Sequence, residues 1–265
     1  MTDLWLAARL QQWELLLSQQ VWDEEALHRF RVLIRSLDGQ LPLWCARPVR
    51  QRLRARWRPL FKQSGRGRDA DVFIPLLTGL PDQEVWVAKL EKRQLKRARR
   101  PEQRDLQRLQ RRIRRFLAIE PQQRRSTYRL ANKTIQRVLR RLNACHPHRP
   151  ESLHALRLAI KRQRYLLEWM ICQPRPTGLM LDSALEQALT LTKQWQTRLG
   201  GFSDRCALAD WLGKKGGDRT LAVLKPRLVQ EAQLLCSELP NLASALLAWL
   251  ALPPGPEDED AHEST

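Results

Sequence analysis

No CxxC pair occurs among the five cysteines of this 265-residue chain. Cys45, Cys145, Cys172, Cys206 and Cys236 are odd in number and scattered. That pattern argues against a zinc site or a disulfide framework and for reduced thiols. Long apolar runs are missing too. The longest, LASALLAWLAL (242–252), is too short to cross a bilayer and reads as a core helix. MTDLWLAARL at the start lacks the basic region and long apolar core of a secretion signal. There is no GxxxxGK[ST] loop for a nucleotide and no acidic cluster spaced like a magnesium-assisted phosphohydrolase site. The expectation is a soluble cytoplasmic protein with no cofactor, no metal and no catalysis.

Acidic residues are scarce relative to basic ones. Against 28 Asp plus Glu stand 47 Lys plus Arg, a formal charge of +19. So large an imbalance strains the compact state by self-repulsion unless a polyanion relieves it. Nucleic acid, an anionic membrane or polyphosphate are the natural partners. Hydrophobic residues reach 43%, which fits a folded chain rather than a disordered one.

Strand-like alternation is also scarce, and helical periodicity dominates. The pattern predicts helices over about 3–19, 23–40, 46–63, 69–79, 83–100, 102–118, 121–144, 150–172, 179–199, 204–213, 218–238 and 240–251. Breaks are expected at SGRG (64–67), HPHRP (146–150), CQPRPTG (172–178) and LGGFS (199–203). Residues 1–252 read as one domain, with helical halves of about 1–145 and 146–252. The acidic stretch 253–265 reads as a disordered tail.

An internal repeat organises the two halves. EALHRFRVLIRSL (25–37) and ESLHALRLAIKRQ (151–163) align without a gap, pairing His28 with His154, Arg31 with Arg157 and Arg35 with Lys161. Each copy is followed by a second helix with a glycine turn and an aspartate, KQSGRGRDADV (62–72) and TRLGGFSDRCAL (197–208). Two copies of one helical hairpin imply two similar bundles across a pseudo-twofold axis. Asp69 and Asp204 are each expected to be helix N-caps.

On a helical wheel, His154, Arg157, Lys161 and Arg164 share a sector about 80° wide. Leu153, Leu156, Ile160 and Leu167 flank it on one side, Leu158, Tyr165 and Trp169 on the other. A surface helix would have one broad polar face, so this pattern predicts a mostly buried helix whose basic stripe lines a channel or groove. In the first copy His28, Arg31 and Arg35 lie between Leu27, Phe30 and Ile34 and, opposite, Val32, with Asp38 in the place of Arg164. Desolvated cations are costly alone, and a bound anion offsets the cost. Arginine grips two phosphate oxygens at once, lysine adds a point charge, and histidine donates to a phosphate oxygen more strongly as pH falls. The plainer alternative is satisfied core histidines with arginines salt-bridged to other helices. Two matching copies on so basic a chain favour anion binding.

At HxxRxxxR (28–35), HxxRxxxKRxRY (154–165), GRGRDADV (65–72) and LGGFSD (199–204) the chain resembles the CHAD domain family. The resemblance spans about Glu25 to Leu212. It implies an all-α fold of two pseudo-symmetric four-helix bundles around a central basic pore that binds inorganic polyphosphate, often at polyphosphate granules. By match to the motif it implies ligand contacts from His28, Arg31, Arg35, His154, Arg157, Lys161, Arg162 and Arg164, with Lys193 and Arg68 less closely matched. Ser36 and Asp38 stand where the family often has basic residues, and Ser203 replaces the usual asparagine. The ExExK signature of the CYTH catalytic domain, sometimes fused to this family, is absent.

Other features divide between plain and functional readings. Thirteen basic and three acidic residues lie between Lys89 and Arg115. They form either a solvated face or a second polyanion surface, the latter able to hold nucleic acid nonspecifically. The tryptophans sit among leucines at helical spacing and read as core; only Tyr165 and Trp169 come near the stripe. His146 and His148 read as loop residues. The acidic tail is either an inert solubiliser or a weak competitor for the basic surface.

Overall fold

Leucines and tryptophans at helical spacing become the buried faces of helices, and among the described residues every regular element is a helix. The computed structural model describes residues 4–19, 24–44, 47–64, 68–97, 103–119, 127–172 and 179–250. In chain order the helices are α1 (Leu4–Ser18), α2 (Glu24–Trp44), α3 (Arg47–Gln63), α4 (Arg68–Leu76), α5 (Gln83–Arg97), α6 (Gln103–Ile119), α7 (Thr127–Asn143), α8 (Pro150–Ile171), α9 (Leu179–Gly213) and α10 (Asp218–Leu250). The chain divides into two units, Met1–Val72 with Val87–Arg125, and Phe73–Trp86 with Ser126–Thr265.

In the first unit α1 packs on α2 and α6, and α3 packs on the same two helices. This closed ring of four buries Trp13 against Phe30, edge to face at 5.9 Å between ring centres. Leu33, Leu37, Leu53, Trp57, Leu106 and Leu109 are buried with them.

The second unit repeats the scheme, with α7 and α9 each packing on both α8 and α10. Its core includes Ile135, Leu153, Leu156, Ile160, Leu199 and Phe202. The short segment Phe73–Trp86 joins this unit through an aromatic cluster, with Trp211 lying 6.1 Å from Phe73 and 5.7 Å from Trp86. Trp86 Nε1 donates to Thr220 Oγ1 at 2.9 Å, and the same hydroxyl donates to the Pro81 carbonyl at 2.9 Å. A large indole therefore has its one polar atom satisfied inside the core.

Two expected breaks are absent. α9 runs without interruption through LGGFS, so Asp204 lies inside a helix and is not an N-cap. Glycine costs about 1 kcal/mol against alanine in a helix interior. Leu199, Phe202, Leu208 and Leu212, all buried on either side of the glycines, outweigh that cost. α10 likewise continues past Pro240, held by buried Leu235, Leu239, Leu242 and Leu246. Asp69 lies in the first turn of α4, not before it, and pairs with Arg93 of α5 at 3.0 Å. A carboxylate in that turn still complements the positive end of the helix. Among the described residues no helix is long and apolar enough to cross a membrane. The expected tail at 253–265 lies outside the described residues.

Candidate functional site

α8 enters with Pro150 in its first turn, where the missing N–H is no loss. Ten of its residues are buried, among them Leu153, Leu156, Ile160, Leu167, Tyr165 and Trp169, which fixes how the basic stripe is presented. His154 and Arg162 are exposed, while Arg157, Lys161 and Arg164 are half-buried. One expected border is wrong: Leu158 is 45% exposed, so the core does not flank the stripe at that turn. Tyr165 and Trp169 are buried and offer no open stacking surface.

Arg157 reaches across α9. A Cβ placed on Gly200 would sit 3.7 Å from its Nη2 and 3.8 Å from its Nε, so the guanidinium lies directly over bare backbone. Its nearest carboxylate is Asp204, with Nη2 to Oδ1 at 3.9 Å. That is an ion pair too long to be a hydrogen bond. Nε of Arg157 is buried with no hydrogen-bond partner among the described residues. The neighbouring α9 arginines are held firmly by contrast: Arg205 grips Glu231 and Arg198 grips Glu238, each through two nitrogens. Arg157 thus has a nearby charge but an incomplete set of hydrogen bonds.

His154 belongs to the same electrostatic neighbourhood. Partial burial of the ring and the positive charge of Arg157 push its pKa below the ordinary histidine value, while Asp204 pulls it back up. Arg164 is already engaged: its Nε donates to Glu168 Oε1 at 2.8 Å, one turn on. Glu168 falls in the same wheel sector as the stripe, about 320° from His154, and so sets a carboxylate within the row of cations. The salt-bridged alternative therefore holds at Arg164.

In the first unit the stripe is used differently. Arg31 is buried, and its Nη1 donates to the Phe61 carbonyl at 2.8 Å and to Ser64 Oγ at 3.2 Å. It closes the C-terminal end of α3, where backbone carbonyls have no helical partner. Its guanidinium and that of Arg35 stack on the Phe61 ring at 4.1 and 5.0 Å. Asp38 accepts from Arg54 at 2.5 and 3.0 Å, and Ser36 is buried, bonding the Leu33 carbonyl. His28 is exposed, on the rim of a cavity of about 390 Å³ between α1 and α2 that Arg9, Gln12, Leu16 and Arg29 also line.

The remaining expected residues are separate. Lys193 is exposed on α9, and the side chain of Arg68 lies outside the described residues. His146 and His148 stack at 5.4 Å in the loop before α8. Among the described residues no three His, Cys, Asp or Glu side chains cluster as a metal site.

Comparison with known proteins agrees with this architecture. The crystal structure of the CHAD domain from the plant Ricinus communis is similar, with a TM-score of 0.60 at 19% identity, covering 94% of this chain and 90% of that one. No match is found among curated proteins. The family model for the CHAD domain matches residues 5–213. This chain, whose described elements are all helices and which that model matches over most of its length, belongs to the CHAD domain family.

Proposed function

We propose that this protein binds inorganic polyphosphate without catalysis and associates with polyphosphate granules. The observation that carries the reading is Arg157, a half-buried guanidinium with a distant carboxylate and an unsatisfied Nε, beside Lys161 and His154 on one helix. A phosphate oxygen supplies what that group lacks, a charge-assisted acceptor at hydrogen-bonding distance. Family membership supports the same reading. The pseudo-symmetric pairing of the two bundles around a basic pore, expected from the resemblance, is part of this proposal.

Much of the free energy comes from counterions released by the polymer, so affinity falls steeply with salt. The deciding experiment titrates long polyphosphate, duplex DNA and short phosphates against the wild type and a His154→Ala/Arg157→Ala/Lys161→Ala variant at two salt concentrations. Tight binding of polyphosphate alone, lost in the variant, is the expected result. Equal competition by DNA with an unaffected variant would overturn the reading in favour of a nonspecific nucleic-acid binder. Phosphate release from pure protein with magnesium would overturn the non-catalytic part.

A further inference from the structure

α3 reads RPVRQRLRARWRPLFKQ and contains no acidic residue. Leu53, Trp57 and Leu60 are buried and fix its inner face. Arg47, Arg52, Arg56, Arg58 and Lys62 are all exposed. None of these five has an ion-pair partner among the described residues. The two other cations of α3 face inward and are engaged, Arg54 being neutralised by Asp38 and Arg50 half-buried. The five cations are thus mounted on a rigid helix over a rise of about 22 Å, with no carboxylate among them.

This contrasts with α2 in the same unit. There Arg31 is buried and committed to the end of α3. Its removal from that role to grip a ligand would break its bonds to the Phe61 carbonyl and to Ser64 Oγ, leaving that carbonyl to the Ser64 hydroxyl alone. The polyanion contact in the first unit therefore falls to the outer face of α3 rather than to the repeat arginine. We infer that the exposed face of α3 is a second polyphosphate-binding surface, which lets a long chain be held by residues other than those of α8. This inference rests on the polyphosphate reading above.

The chemistry of the face favours a bare phosphate polymer over single-stranded nucleic acid. Its basic residues are interleaved with Pro48, Gln51, Ala55 and Pro59, and of its two aromatic rings Trp57 is turned into the core and Phe61 is covered by the Arg31 and Arg35 guanidinium groups. No stacking platform for bases is present on it. Arginine forks spaced along a helix need only phosphate oxygens.

The test is an Arg52→Gln/Arg56→Gln/Arg58→Gln variant, whose solvent-facing positions leave the core intact, titrated with long polyphosphate and with triphosphate across a salt series. Long-chain affinity is expected to fall about tenfold, with the log–log salt slope shallower by about two to three units, since each of the three lost phosphate contacts removes about 0.7–0.9. Triphosphate binding is expected to stay unchanged. As an independent readout, long polyphosphate should shield these arginines of the wild type from phenylglyoxal. An unchanged slope and no shielding, with the α8 triple variant still defective, would overturn the second surface and leave the α8 reading standing. A wild type that binds no polyphosphate would overturn both.

Discussion

Arg157 of α8 and Gly200 of α9 are in near contact, with the guanidinium lying over a glycine that has no side chain to hold it off. A methyl there would meet the arginine at 3.7 Å, an ordinary van der Waals distance. Gly200→Ala should therefore fold, bind polyphosphate like the wild type and gain about 0.5–1 kcal/mol from better helix propensity. Gly200→Leu should push the guanidinium aside and weaken binding. Urea denaturation with a parallel polyphosphate titration distinguishes the two, and equal binding by both variants would refute the role given to this gap.

The two repeat arginines are predicted to fail in different ways. Arg31→Ala removes the charged donor to the Phe61 carbonyl and to Ser64 Oγ at the end of α3, leaving that carbonyl to Ser64 alone, and should cost about 1–3 kcal/mol of stability. Its effect on polyphosphate affinity, measured well below the melting temperature, should be small. Arg157→Ala should do the reverse: near-normal melting and a loss of binding of about tenfold or more, the scale of a charged hydrogen bond. Identical profiles for the two variants would contradict the asymmetry.

Glu168 holds Arg164 inside the stripe, so removing its charge should strengthen binding. Glu168→Gln frees one guanidinium for phosphate, and the salt dependence of polyphosphate binding should steepen by just under one unit in log–log slope. A slope that does not move would show that Arg164 never reaches the ligand.

The depressed pKa of His154 fixes a pH signature. In the free protein the ring is biased towards its neutral form by partial burial and by Arg157. A polyanion favours the charged form, so binding takes up a proton and tightens as pH falls from about 6.5 towards the lowered value. The same shift sets the sign for stability. The unfolded chain holds this proton more tightly than the free folded protein, so stability is full above the ordinary histidine value and declines as pH falls through it. Calorimetry in buffers of different ionisation enthalpy measures the uptake near pH 6.5, and His154→Gln should abolish it.

Most helices were legible because their apolar spacing is regular, and α8 shows the clearest case. Buried Leu153, Leu156, Ile160 and Leu167 stand where the periodicity puts them. The LGGFS break was not legible. Glycine pairs are the strongest local turn signal, and only tertiary packing of Leu199 and Phe202 overrides them. The boundary expected between 218–238 and 240–251 fails in the same way, because buried Leu239 and Leu242 carry α10 through it.

In the site, the basic character of α8 could be read directly. The Glu168 partner of Arg164 could be read in the same way, since it lies one turn on at the same angle of the wheel. The commitment of Arg31 could not, because the Phe61 carbonyl comes from another helix 30 residues away. The cationic face of α3 was visible as composition, yet without its burial pattern it could not be told from a helix paired with acidic neighbours.

The unbroken course of α9 links its bare patch to its carboxylate. Gly200 and Asp204 are four residues apart on one continuous helix, one above the other, so the space beneath Arg157 and the charge beside it share a single rigid body. Sliding or rolling that helix would shift both together. One extra residue between them would swing the aspartate around the barrel of the helix by about 100° and leave the arginine over an empty step with its counter-charge facing elsewhere.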